Sequence, residues 1–125
     1  MIIVYEKADI ILGCMSLSAE IHAELQRAEV ARIAGNDGRV RVCARRAAGM
    51  AARDFLNRHN KYPSGSKRNI NSYKAIQVLT SIPTLSPELR KAVVCLTMPV
   101  NREFQLPPGI DLIDEANKLI GGLNE

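Results

Sequence analysis

Between Arg39 and Arg58 the chain sets Ala44, Ala47, Ala48, Ala51 and Phe55 along one helical stripe, with Gly49 beside it. Spacings of three and four put these residues on one face. A face this slim lets another helix approach closely, either within the fold or from a second copy of the chain. The rest of the sequence agrees with such packing. It holds three Tyr, two Phe and no Trp, so Ala, Leu, Ile and Val must fill the core. The expectation is an all-α protein, an up-and-down bundle of four to five helices forming a single domain over residues 1–125.

Clear breaks divide the helices. The first fifteen residues read as helix or short strand, because a β-branched start runs into apolar positions Ile10, Ile11, Cys14 and Met15 at helical spacing. Ser16 or Ser18 is placed to cap the next helix, which carries Leu17, Ile21, Leu25 and Ala28 on one side. Gly35-Asn-Asp-Gly38 is a turn tetrad that ends this region. The second helix is expected over about 39–58, and a polar loop of about a dozen residues follows, long enough to suggest a functional segment. A third helix fits 71–79, with Tyr73, Ile76 and Leu79 in phase. Ser86-Pro87 opens a fourth that reaches about Met98 and buries Leu89, Val93, Leu96 and Thr97. Asp111 is placed to cap the last helix, which carries Leu112, Ile113, Ala116, Leu119 and Ile120 and ends before Gly121-Gly122.

Charge is distributed unevenly along this framework. Ten of the seventeen Lys and Arg fall between Gly38 and Lys74 against a single acid, Asp54. That block carries +9, so the remainder carries −5 within a chain of +4. Such asymmetry points to an anionic partner, RNA or a nucleotide first. Arg39, Arg46 and Arg53 are seven apart, hence on one stripe and about 10.5 Å apart along the axis. Arg41 and Arg45 make a second row. Guanidinium groups match phosphate geometry better than a lysine does. Acids elsewhere, such as Glu20, Glu24, Asp114 or Glu115, are the groups that would cancel this row by pairing with it. Downstream, Arg58, Lys61, Tyr62, Lys67 and Arg68 interleave charge with an aromatic ring, the pattern used on single strands. The loop has one glycine, Gly65, and lacks the spacing of a phosphate-binding P-loop.

Catalytic constellations are sparse. Arg53 and His59 could hold a phosphate and move a proton, although six positions set them roughly 120° apart on a helix. His59 at a helix C-terminus also complements the helix dipole. His22 has no second histidine one turn on, and no metal site or cofactor is expected. Cys14, Cys43 and Cys95 are widely spaced and odd in number, which reads as buried free thiols rather than a disulfide framework. The apolar start is too short for a signal segment, and no window approaches a membrane span, so the expected setting is the cytoplasm without membrane contact.

Two segments resemble a known family. The Ala-rich helix Ala44-Arg-Arg-Ala-Ala-Gly-Met-Ala-Ala-Arg-Asp-Phe-Leu56 and the closing Asp111-Leu-Ile-Asp-Glu-Ala-Asn-Lys-Leu-Ile120 are similar to the HEPN group of nucleotide-binding helical domains. The resemblance implies a homodimer, and in some members a metal-independent ribonuclease with an Arg-x(4–6)-His motif. Arg53 and His59 match that spacing, with Asp54 in the polar position after the arginine. In the group the motif enters a C-terminal helix, whereas here it closes the second. The reading preferred is therefore a non-enzymatic, dimeric module that binds a nucleotide or nucleic acid through residues 38–74, with no catalytic residue assigned. One alternative is a ribonuclease using Arg53 and His59. The other is a module docking an acidic partner protein.

Overall fold

Residues 16–59, 61, 70–98 and 109–124 are described by the structure, a computed structural model. Five α-helices order them: α1 (Leu17–Ile33), α2 (Asp37–Arg58), α3 (Ser72–Val78), α4 (Pro87–Thr97) and α5 (Leu112–Leu123), with a 3₁₀ turn (Leu79–Ser81) continuing α3. No strand occurs among the described residues. The all-helical class expected from the sequence is what folds. Residues 1–15, where helix and strand were both open, lie outside the described residues, as do Tyr62, Lys67 and Arg68 of the basic loop.

Each helix starts where a side chain can satisfy its orphan amides. Ser16 accepts from the Ala19 amide at 3.1 Å, Asn71 from Lys74 at 2.8 Å and Ser86 from Leu89 at 3.2 Å. Asp111 accepts from Ile113 and Asp114 at 3.0 and 3.2 Å. Its second oxygen holds Arg32 at 2.9 Å, tying the end of α1 to the start of α5. Two boundaries differ from expectation. Asn36 caps α2 through the Arg39 amide at 3.1 Å, so Asp37 and Gly38 join the helix and only Gly35, at φ +76°, turns the chain. Gly121 and Gly122 lie inside α5, not beyond it. The buried face of Leu112, Ala116, Leu119 and Leu123 carries the helix across both glycines.

Helix α2 is the hub, packing against α1, α3, α4 and α5. Its small-residue stripe is consumed inside the fold: Ala44, Ala47, Ala48 and Ala52 are fully buried and Ala51 nearly so. The stripe is therefore not a surface for a second copy. The closest approach is to α3. A Cβ on Gly49 would lie 2.6 Å from the Ser72 Cα, so only glycine admits that backbone. Leu56, Ile76, Leu79, Leu96, Leu119 and Leu123 fill the centre. On α4 the buried set is Ala92, Val93, Cys95 and Leu96, while Leu89 and Thr97 are only half-buried. A smaller cluster of Ala28, Ala31, Val40, Cys43 and Ile113 seals the junction of α1, α2 and α5.

Candidate anion-binding groove

The arginines of α2 divide by what their guanidinium groups meet. Arg45 donates from Nε to the Leu96 carbonyl at 3.0 Å and lies over the Tyr73 ring at 5.1 Å. Leu96 is in the last turn of α4, where carbonyls lack helical partners, so Arg45 closes that helix end. Burial, and next Arg41, draw the Arg45 guanidinium below its ordinary range, with Tyr73 opposing them. Arg58 does similar work on α5, donating to the Leu123 carbonyl at 3.1 Å while Asp54 holds its Nε at 2.7 Å. Arg53 donates from one terminal nitrogen to the Ile70 carbonyl at 3.2 Å, just ahead of α3. Arg41 is half-buried, with its Nε sealed from solvent and unbonded. These four were expected to face a ligand. Three of them are instead bonded to backbone carbonyls, since a desolvated carbonyl accepts from a guanidinium as readily as a phosphate oxygen does.

Arg39 and Arg46 are different. Both are exposed, and among the described residues neither makes an ion pair or a side-chain hydrogen bond. Of the acids that could have cancelled them, Glu24 pairs with Arg27 at 3.2 Å and Asp114 and Glu115 with Lys118 at 3.3 and 3.7 Å, while Glu20 pairs with neither arginine. Both arginines lie close enough to Cys43 to pull its thiol down, against burial and the Glu24 carboxylate, which push it up more strongly.

Arg39 borders a groove between α1 and α2. Its shallow end is lined by Ala23, Gln26, Arg27, Val30 and Arg39. Its deep end, about 550 Å³, is lined by Leu17, Glu20, Ala23, Glu24, Arg27, Met50, Arg53, Asp54 and Asn57. Ala23 and Arg27 belong to both ends, so the two hollows adjoin. Arg46 lies between Arg39 and Arg53 on the same stripe of α2, a helical turn before Met50. The groove is thus lined by Arg27, Arg39 and Arg53, with Arg46 sharing the α2 stripe of the last two. Arg27 counted only toward the acidic remainder in the sequence, because nothing there says which face of α1 meets α2.

Arg53 and His59 are not brought onto one face. Helix α2 runs unbroken from Arg53 to Arg58, and His59 is its C-cap. The His59 ring rests on Phe55 with centroids 4.4 Å apart. Phe55 lines a separate hollow beside α4 and α5, with Leu89 and Gly121, while Arg53 lines the α1–α2 groove. Lys61 is exposed, its amide closing onto the Leu56 carbonyl at 2.9 Å. Cys43 and Cys95 are buried free thiols. No group of three or more potential metal ligands, and no helix long and apolar enough to cross a membrane, occurs among the described residues.

Comparison with protein-family models, curated proteins and solved structures finds no match.

Proposed function

We propose that the protein is a non-catalytic helical module that binds a nucleotide or nucleic acid along the α1–α2 groove. The observation that carries this reading is the exposure of Arg39 and Arg46 without a countercharge among the described residues. Two cations held about 10.5 Å apart on a rigid helix make a fixed pair of phosphate contacts. Arg27, half-exposed across the groove, adds a third. Arg41, Arg45 and Arg58 leave the binding set, because their guanidinium groups are enclosed or bonded to the fold.

The test is binding of labelled single-stranded RNA, followed by fluorescence anisotropy across a salt series. Each phosphate contact on a single strand contributes about −0.7 to the slope of log K against log salt. Arg39→Ala/Arg46→Ala is expected to weaken binding and flatten that slope by about 1.4, twice the single-contact value. An unchanged slope in the double variant would refute the assignment.

A second reading has its own observation. Val30 and Ile33 are 68 and 86% exposed, and Val30 stands beside Arg27 and Arg39 at the shallow end. Apolar side chains beside the uncancelled Arg39 suit an acidic amphipathic partner segment, or a second copy of the chain. Substituting Val30 and Ile33 with Ser would weaken protein docking and leave RNA binding intact.

A further inference from the structure

The deep end of the groove holds an acceptor and a donor that face the same space without meeting. Glu20, in the first turn of α1, and Arg53 both line it, yet no ion pair joins them. The neighbouring acids are engaged, Glu24 with Arg27 and Asp54 with Arg58. Arg53 commits only Nη1 to the fold, which leaves Nε and Nη2 without a partner among the described residues. Leu17, Ala23 and Met50 supply apolar wall. A phosphate is unsuited to this end, because Glu20, Glu24 and Asp54 outnumber the two guanidinium groups lining it. A flat, neutral group with donors on one edge and acceptors on another fits.

Resting on the reading above, we infer that this end of the groove receives the base of the bound nucleotide and selects guanine. An ionised carboxylate only accepts, and it has two oxygens side by side. Guanine alone among the four common bases offers two adjacent donors, N1–H and N2–H, to match them. Adenine and cytosine set a ring acceptor next to their amino group, which the carboxylate repels. Uracil has one imino N–H flanked by carbonyl oxygens. The guanine O6 and N7 acceptors then suit the unused Arg53 nitrogens, the pairing by which arginine commonly reads guanine. Met50 and Leu17 offer apolar contact to the base, and a thioether packs favourably on an aromatic ring. The phosphate remains outside, toward Arg46.

Titration calorimetry with GMP, AMP, CMP and UMP at one ionic strength tests the inference. GMP should bind about tenfold tighter than the others, within what a bidentate pair discriminates. Glu20→Gln keeps the shape but turns one acceptor into a donor, so GMP should bind more weakly, AMP and CMP should gain from the lost repulsion, and the guanine preference should vanish. Arg46→Ala should lower all four alike. Equal binding of the four nucleotides, or a guanine preference that survives Glu20→Gln, would overturn the base assignment and leave the phosphate assignment standing. Binding of none would overturn both.

Discussion

The two flanks of α2 use one residue type for different ends. Toward α4 and α5, Arg45 and Arg58 donate to the carbonyls of Leu96 and Leu123, and Arg53, on the groove stripe, turns one nitrogen back to the Ile70 carbonyl. On the flank beside the α1 groove, Arg39 and Arg46 meet no partner among the described residues. Helix ends explain the difference. Each helix leaves about four carbonyls without intrahelical partners, and α4 and α5 bring theirs against the first flank. Helix α1 meets α2 along its length and offers no such carbonyl to Arg39 or Arg46. A basic block in a sequence is therefore partly a set of fasteners, and only the part that misses a carbonyl is free for a ligand. Arg90 shows the same use outside the block, binding the Leu85, Thr80 and Ile82 carbonyls at 3.3, 3.1 and 2.6 Å and fixing the turn before α4.

The largest effect expected lies on the closed flank. Gly49→Ala drives a methyl group into the Ser72 backbone, and backbone cannot step aside as a side-chain tip can. Overpacking of this kind costs about 3 kcal/mol. Urea unfolding should show the loss as a lower midpoint, and near-wild-type stability would mean that α3 is not seated as closely as described. Gly122→Ala is the contrast. There the new Cβ meets only the tip of Leu89, at 2.6 Å, which can rotate away, so a smaller loss is expected.

Next in size is Arg45→Met. It keeps much of the stem but removes the bond to Leu96 and the contact with Tyr73. A charged donor to a neutral acceptor contributes about 1.5 to 3 kcal/mol, so a loss of about 2 kcal/mol is expected in thermal unfolding. Arg39→Met, the same substitution on the open flank, should leave stability within about 0.5 kcal/mol. Equal losses at the two positions would erase the distinction between the flanks.

How far the sequence could see follows the same line. Caps and breaks were legible because they are local: Ser86-Pro87, Asp111 and the Gly35 turn act within a few residues of themselves. Gly38 and Gly121-Gly122 misled, since a glycine inside a helix and one after it read alike until a cap such as Asn36 or a buried face such as Leu119–Leu123 decides. The destinations of Arg45 and Arg58 were not legible, because their carbonyl partners lie 51 and 65 positions away. Nor was the groove, which depends on α1 presenting Ala23 and Arg27 rather than another face. The Ala44–Ala51 stripe did announce close helix packing, but not whether the partner helix belonged to the same chain.

A subtler test concerns the buried thiols. Cys43 and Cys95 both lie above the ordinary 9.0, raised first by burial and then by Glu24 and Glu115 respectively. The unfolded chain therefore releases these protons before the folded one. Their contribution to stability is complete below pH 9.0 and falls as pH rises through the folded values. Urea unfolding at pH 8 and at about pH 10 should show stability declining, and Cys43→Ala should shallow that decline whatever its effect at pH 8. The open flank enters through Arg39 and Arg46, which both pull the Cys43 thiol down. Removing them should steepen the alkaline fall.

The smallest effect on stability is expected from the variant that matters most for binding. Arg39→Ala/Arg46→Ala removes two exposed side chains with no bond to break among the described residues, so the unfolding midpoint near neutral pH should stay within about 0.5 kcal/mol of wild type. That near-silence is itself the test. If these arginines were fasteners like Arg45, removing both would cost several times as much, and weaker RNA binding could be blamed on a damaged fold. Stability retained together with a salt slope shallower by about 1.4 would locate two phosphate contacts on the open flank. Arg53 is left out of the pair deliberately. Its bond to Ile70 joins α2 to the segment before α3, so its loss would mix a structural cost with a binding one. A double variant that is destabilised and yet binds RNA at the original slope would invert the comparison, making Arg39 and Arg46 the structural pair.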